Sequence, residues 1–186
     1  MSEKKKVNWL KETVDITKNF IFALLIVLLL THFIIRPVQV KGPSMYPTLQ
    51  NNELGFTNVI KRNTQKITRF EVVIALLDNK EQIVKRVIGL PGETLEFKDD
   101  VLYINGEVVE QSFLDDEYVA TQKSMTQDKL FTEDFGPITL GDDEYFLMGD
   151  NRLHSTDSRY FGAFTSDKII ACSVYVWWPL NHFKAV

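Results

Sequence analysis

Residues 72–109 read VVIALLDNKEQIVKRVIGLPGETLEFKDDVLYINGEVV. Short apolar or alternating runs are separated here by turn-forming residues, and this pattern is typical of strands rather than of amphipathic helices. The dipeptide Asn105-Gly106 is a strong signal for a tight hairpin turn. The stretch therefore predicts a series of antiparallel strands. They are placed at Val72–Leu77, Ile83–Ile88, Thr94–Phe97, Val101–Ile104 and Glu107–Val109.

The same pattern continues on both sides of this stretch. Further strands are predicted at Val38–Val40, Tyr145–Met148 and Ser173–Trp178, whereas residues 111–136 are polar and acidic. The 150 residues 37–186 are enough for one domain with its own core. We therefore predict a mostly β domain of antiparallel sheets over these residues, with about residues 107–140 as a more variable insert.

An apolar segment precedes this domain. Phe20–Ile35 reads FIFALLIVLLLTHFII and holds no charged residue. Extended back to Ile16 it has about 20 residues, or about 30 Å as a helix, which matches the hydrocarbon core of a bilayer. We predict one transmembrane helix over residues 16–36. A cleaved secretory signal is the first alternative, although the run lacks a small-x-small cleavage site; a buried helix of a soluble protein is the second.

Charge is distributed unevenly along the chain. Residues 1–36 carry six Lys/Arg and three Asp/Glu, or +3, which leaves −7 for the rest of a chain whose net charge is −4. Because basic residues stay on the cytoplasmic side of a membrane, residues 1–15 are predicted to be cytoplasmic and residues 37–186 extracytoplasmic, at the cell membrane. An acidic body also argues against nucleic acid as a partner, since phosphate binding needs a basic face.

The sequence offers no pattern for a metal or a cofactor. Its one cysteine, Cys172, lies in an apolar run, and the histidines His32, His154 and His182 are scattered. None of the Cys/His spacings of metal sites occurs. We therefore expect neither a metal nor a cofactor.

Three polar clusters could carry chemistry. Ser44 lies among Gly and Pro residues in a stiff turn, and Lys85 lies in an apolar strand where alternation puts it and Arg86 on opposite faces. A lysine kept from water has a lowered pKa and, once neutral, can activate a serine. The third cluster, Gly149–Arg159, follows an apolar strand. Taken singly, the clusters are more simply explained as a turn, an edge-strand lysine and a solvated loop.

Together, the motifs closely resemble those of bacterial type I signal peptidases. They are GPSMYPT at 42–48, VKRVIGLPGE at 84–93 and MGDNRLHSTDSR at 148–159, in this order behind an apolar segment. The resemblance covers nearly the whole chain and is weakest at 107–140; the compact body is similar to the short Gram-positive forms. It implies a signal-peptidase or repressor-protease-like fold. It also implies a membrane-bound serine endopeptidase that removes signal peptides from exported preproteins after small residues at −1 and −3.

The resemblance also implies a role for particular residues. Ser44 would be the nucleophile and Lys85 the general base of an acyl-enzyme mechanism. The hydroxyl of Ser155 would bond the Lys85 amine and orient it. The backbone N–H of Ser44 would stabilise the oxyanion, and the Gly42 region is where some relatives add a hydroxyl donor, which glycine lacks.

Two ion pairs and a substrate-binding region complete these expectations. Arg86 with Asp150, and Asp157 with Arg159, resemble pairs that support the site in this family. An extended preprotein would lie between residues 38–40 and 82–84 by strand addition. The substrate-binding candidates are Val38, Gln39, Val40, Met45, Ile83 and Val84.

Other classes of function make different demands on the sequence. An inert membrane protein that binds export substrates would be expected to lose Ser44 or Lys85, and both are present. A self-cleaving repressor-type regulator would carry a DNA-binding helix-turn-helix and no membrane span.

Overall fold

Two antiparallel sheets form the body of the chain. The computed structural model describes residues 9–33, 35–58 and 66–186, with no side-chain detail for residues 30–33, 35 and 58. The helices are α1 (Trp9–Phe33), α2 (Asp116–Met125) and α3 (Ser158–Phe161). The strands are β1 (Ile35–Gln39), β2 (Leu54–Asn58), β3 (Val72–Leu76), β4 (Gln82–Gly89), β5 (Thr94–Lys98), β6 (Val101–Ile104), β7 (Glu107–Val109), β8 (Phe135–Thr139), β9 (Glu144–Met148), β10 (Phe164–Thr165), β11 (Ile169–Trp178) and β12 (Lys184–Ala185).

The larger sheet has the strand order β1-β2-β11-β3-β4-β9-β10, with β12 beside β11, and the smaller one has the order β7-β6-β5-β8. Every described strand pairing is antiparallel. The predicted β architecture is therefore confirmed, and each predicted strand has a counterpart. Long apolar runs become central strands because both of their faces are covered.

Four strands and two helices were not predicted, namely β2, β8, β10, β12, α2 and α3; β10 and β12 have only two residues each, and α3 has four. β2 and β8 are short and contain Gly or Pro, which weaken the strand signal. Helix α2 lies inside the polar stretch 111–136, and none of its residues is buried. A helix without an apolar face has no periodic pattern that could reveal it.

Strand pairing fixes the direction of the two adjacent basic side chains. In the β3–β4 hairpin, Lys85 is opposite Val73 and Arg86 is opposite Val72. Because successive side chains of a strand alternate between the faces of its sheet, Lys85 and Arg86 point to opposite faces, as predicted. Both side chains are nevertheless buried, at 3% and 5% exposure.

Helix α1 coincides with most of the predicted membrane span. Among the described residues, no helix is both long and apolar enough to cross a membrane. The predicted span, residues 16–36, overruns the helix, because α1 ends at Phe33 and Ile35 and Arg36 belong to β1. The membrane span itself stays a prediction. Of the predicted cytoplasmic segment 1–15, residues 9–15 belong to α1, and residues 1–8 lie outside the described residues.

A core cluster under the larger sheet fixes the turn between β1 and β2. Met45 and Leu49 are 1% and 0% exposed, and the N–H of Leu49 donates to the carbonyl of Met45 at 2.7 Å. The turn that contains Ser44 is therefore attached to the core directly behind the serine. The cluster consists of Val40, Met45, Leu49, Val72, Val174 and Val176.

Candidate active site

Lys85 is a buried lysine in the middle of β4. Burial lowers the pKa of its ammonium from 10.5 to about 8. The charges of Asp157 and Asp150 act in the opposite direction, and Arg159 adds to the lowering. Since a buried ammonium loses hydration that nothing fully replaces, Lys85 becomes neutral at a far lower pH than a surface lysine does.

Ser44 lies in the turn that follows β1. The carbonyl oxygen of Ser44 accepts a hydrogen bond from the N–H of Asn151 at 3.0 Å. The Asn151 side-chain amide donates to the carbonyl of Pro43 at 3.1 Å. Within the described residues, the backbone N–H of Ser44 donates to no acceptor of the fold. The turn is thus held by its carbonyls, and one N–H remains available at the serine.

Ser44 and Lys85 line the same cleft, which has a volume of about 530 Å³. One wall is formed by residues 37–39 and the other by residues 80–85. The lining of the cleft therefore includes a hydroxyl and an amine of lowered pKa. Their pairing as nucleophile and base stays a prediction.

The hydrogen bonds expected within this site are not formed in the structure. Across the described residues, neither Ser44 nor Ser155 is bonded to the Lys85 amine. The predicted bond between Ser155 and Lys85 is therefore not found. The Ser155 hydroxyl is instead buried without a well-formed hydrogen bond. Its oxygen instead packs against the backbone of Gly149. Catalytic hydrogen bonds are often long without substrate and tighten in the Michaelis complex.

Both predicted ion pairs are present. Arg86 donates from Nε and Nη2 to the two oxygens of Asp150 at 2.8 and 2.6 Å, and from Nη1 to the Phe70 carbonyl at 2.7 Å. Arg159 donates from Nε and Nη2 to Asp157, both at 2.9 Å. Arg86 directly follows Lys85 in β4, so the Arg86–Asp150 pair fixes the strand that carries the amine.

Asp157 connects the second ion pair to the loop beside the cleft. Its Oδ2 accepts a hydrogen bond from the Gly149 N–H at 3.0 Å. Burial raises the pKa of this carboxyl, but the Arg159 guanidinium and the Gly149 N–H more than offset that effect and hold the pKa below its ordinary value. Asp157 is therefore a fixed negative charge near Lys85.

Three residues of the third cluster have structural positions that no pattern assigned to them. Asn151 bonds the turn of Ser44, as described above. A Cβ atom on Gly149 would overlap both the Ser44 carbonyl oxygen and the Ser155 hydroxyl, so only glycine fits there. Arg152 is 2% exposed and donates from Nε to the Gly149 carbonyl at 3.1 Å. Their presence in the ordered motif was the only sequence signal.

The N–H of Gly42 donates to Asn51 Oδ1 at 2.9 Å. A group already bonded in this way is poorly placed to stabilise an oxyanion, so the Gly42 region supplies no evident second donor.

Of the substrate-binding candidates, Val38, Gln39, Ile83 and Val84 line the cleft. Val40 and Met45 are instead buried in the core, at 3% and 1% exposure.

The sequence profile of the family described as signal peptidase, peptidase S26, matches residues 13–178. This chain belongs to the signal peptidase family. Signal peptidase I of Bacillus amyloliquefaciens is 40% identical to it over 185 residues, which cover 98% of this chain and 97% of the relative. Signal peptidase I S of Bacillus subtilis is 40% identical over 177 residues, or 94% of each chain. These relatives confirm the predicted resemblance to Gram-positive type I signal peptidases.

A solved structure is also similar to this member of the signal peptidase family. The crystal structure of a signal peptidase I from Enterococcus faecalis has 34% sequence identity to it. The match covers 58% of this chain and 97% of that chain, with a TM-score of 0.49.

Proposed function

We propose that this chain, a serine endopeptidase of the signal peptidase family that removes signal peptides from preproteins, uses Ser44 as its nucleophile and Lys85 as its general base. The observation that carries the proposal is the cleft that both residues line, together with the Lys85 pKa of about 8. A base whose pKa is close to the working pH is both available as the free amine and able to return the proton.

Each step of the proposed reaction uses groups of this chain. Neutral Lys85 takes the proton of Ser44 Oγ as that oxygen attacks the carbonyl carbon of the −1 residue. The N–H of Ser44 donates to the oxyanion. Lys85 then gives the proton to the departing amine, which leaves an ester on Ser44. Lys85 next takes a proton from a water molecule as the water oxygen attacks this ester, and it returns the proton to Ser44 Oγ as the signal peptide leaves with a new carboxyl end.

The edge of the larger sheet supports a strand-like mode of substrate binding. β3 pairs with Gln82–Arg86, whereas β9 pairs with β4 only from Arg86 onward. Residues 82–85 thus have one free side, which borders the cleft. β1 stands at the end of the sheet and forms the opposite wall. An extended peptide that enters between the two edges would gain main-chain hydrogen bonds, and we propose small residues at −1 and −3 as its preferred sequence.

We also propose that residues 16–36 anchor the chain in the cell membrane, with residues 1–15 cytoplasmic and residues 37–186 extracytoplasmic as the catalytic domain. All described side chains of α1, from Trp9 to Leu29, are exposed. An exposed apolar surface of this size is unfavourable in water, and the lipid of a membrane would bury it. Extraction of cell membranes with alkaline carbonate tests the anchor: release of the chain into the supernatant would contradict it.

Cleavage of a purified preprotein with an Ala-x-Ala site tests the enzymatic proposal. Ser44→Ala should abolish cleavage, whereas Ser124→Ala is the matched control, since Ser124 is exposed on α2. Sequencing of the new N-terminus identifies the cleaved bond. Cleavage by Ser44→Ala at the wild-type rate would refute the assignment of the nucleophile.

A further inference from the structure

Helix α2 makes an aromatic contact with the turn that carries Ser44. Tyr118 in the first turn of α2 meets the ring of Tyr46 edge-on, with the ring centroids 5.1 Å apart. Burial raises the pKa of the Tyr118 hydroxyl, and the neighbouring Tyr46 adds to the rise. Tyr118 is the one aromatic residue of this helix, none of whose residues is fully buried, and it lies against this turn.

Tyr46 is well placed to transmit this contact to the serine. It lies two residues after Ser44, and its N–H donates to the Pro43 carbonyl at 3.0 Å, which closes the turn around the serine. Met45, between them, is attached to the core. Tyr46 is 40% exposed, and Tyr118 contacts its ring edge-on. Tyr118 therefore contacts the residue whose N–H closes the turn.

The residues just before α2 contact the other half of the site. The ring of Phe113 lies 4.2 Å from the guanidinium carbon of Arg86, which is next to Lys85 in β4. Asp115 caps α2, because its Oδ1 accepts the N–H of Tyr118 at 2.7 Å. This short segment thus reaches from the strand of the proposed base to the turn of the proposed nucleophile.

We propose that Tyr118 is a positioning residue for this reaction: through Tyr46 it holds Ser44 in place relative to Lys85. This inference rests on the proposed function. Edge-on contacts between aromatic rings depend on the ring rather than on the hydroxyl. Displacement of a reacting group by about 1 Å can lower a rate about 100-fold. Helix α2 does not line the cleft, so its effect should fall on the rate and not on substrate binding.

Three variants of the full chain in detergent test this role on a preprotein with an Ala-x-Ala site. Tyr118→Ala should lower kcat by about 10- to 100-fold and leave KM within about twofold. Tyr118→Phe, which keeps the ring, should retain most of the rate. Met125→Ala is the matched control, since Met125 is 72% exposed in the last turn of the same helix. It should behave as the wild type.

Several results would overturn the inference. They are an unchanged kcat in Tyr118→Ala, an equal loss in Tyr118→Phe, or a change confined to KM. If Tyr118→Ala unfolds at a lower temperature, a double-mutant cycle with Tyr46→Ala decides: coupled losses of kcat support the inference, and additive losses refute it. A wild type that cleaves no preprotein would remove the proposed function and this inference together, whereas an active wild type matched by Tyr118→Ala removes the inference alone.

Discussion

The backbone N–H of Asn151 donates to the carbonyl oxygen of Ser44 at 3.0 Å, and this bond joins two segments that are distant in the sequence. The Asn151 side chain adds a second bond, to Pro43. One residue therefore fixes both carbonyls of the turn without occupying the N–H of the serine.

Asn151→Ala removes the bond to Pro43 and leaves the backbone bond to Ser44 in place. We expect kcat to fall about 10- to 100-fold with a small change in KM, because the nucleophile loses part of its alignment. Steady-state kinetics on a preprotein measures this. Asn181→Ala, at an exposed asparagine, is the control. An Asn151→Ala variant with the wild-type kcat would show that the backbone bond suffices.

Gly149→Ala should damage both stability and catalysis. Its new methyl group would overlap the Ser44 carbonyl and the Ser155 hydroxyl, and overpacking of this kind costs about 1–3 kcal/mol. Gly141→Ala is the control, because its Cβ would meet only the flexible side chain of Glu144. Thermal unfolding and cleavage rates check both variants. Equal melting temperatures and rates for the two variants would contradict the close approach at Gly149.

The activity should rise with pH and level off above about pH 8, since Lys85 can accept a proton only when it is neutral. Asp157 raises the Lys85 pKa, so Asp157→Asn should move the midpoint of kcat/KM to lower pH. Asp142→Asn, at an exposed carboxylate, should leave the midpoint unchanged. A midpoint that moves to higher pH in Asp157→Asn, or a flat wild-type profile, would argue against Lys85 as the base.

Lys85→Met should abolish cleavage and stabilise the fold near neutral pH. The folded-state pKa of about 8 is below the ordinary 10.5, so burial of the charged amine opposes folding in full below about pH 8. This opposition fades as the pH rises and is gone above 10.5. We expect a gain on the order of 1–3 kcal/mol in the free energy of unfolding at pH 7.

Denaturant unfolding at pH 7 and near pH 10.5 measures the gain and its loss. Lys98→Met, at an exposed lysine of β5, is the control and should change the free energy of unfolding little at either pH. If the Lys85→Met variant is less stable than the wild type at pH 7, the interactions of the charged amine with its neighbours must outweigh the cost of burying it.

Much of the β architecture could be predicted from the sequence. Runs such as Val72–Leu77 and the Asn105-Gly106 turn specify strands through local chemistry alone. β2 escaped this pattern because Gly55 lies inside it. A Cβ there would overlap the backbone of Tyr175 on β11, so the glycine reflects a contact between strands that no local pattern contains.

The sequence by itself determined the antiparallel strands, the opposite faces of Lys85 and Arg86 and, through the ordered motifs, the family. Those features depend on alternation, turn chemistry and residue order, which are local. Only the tertiary structure decided that Lys85 is buried with a lowered pKa, that it shares a cleft with Ser44, and that Gly149 and Asn151 hold the serine turn. Desolvation and close packing arise between distant segments, and so they exist only once the sheets have closed around them.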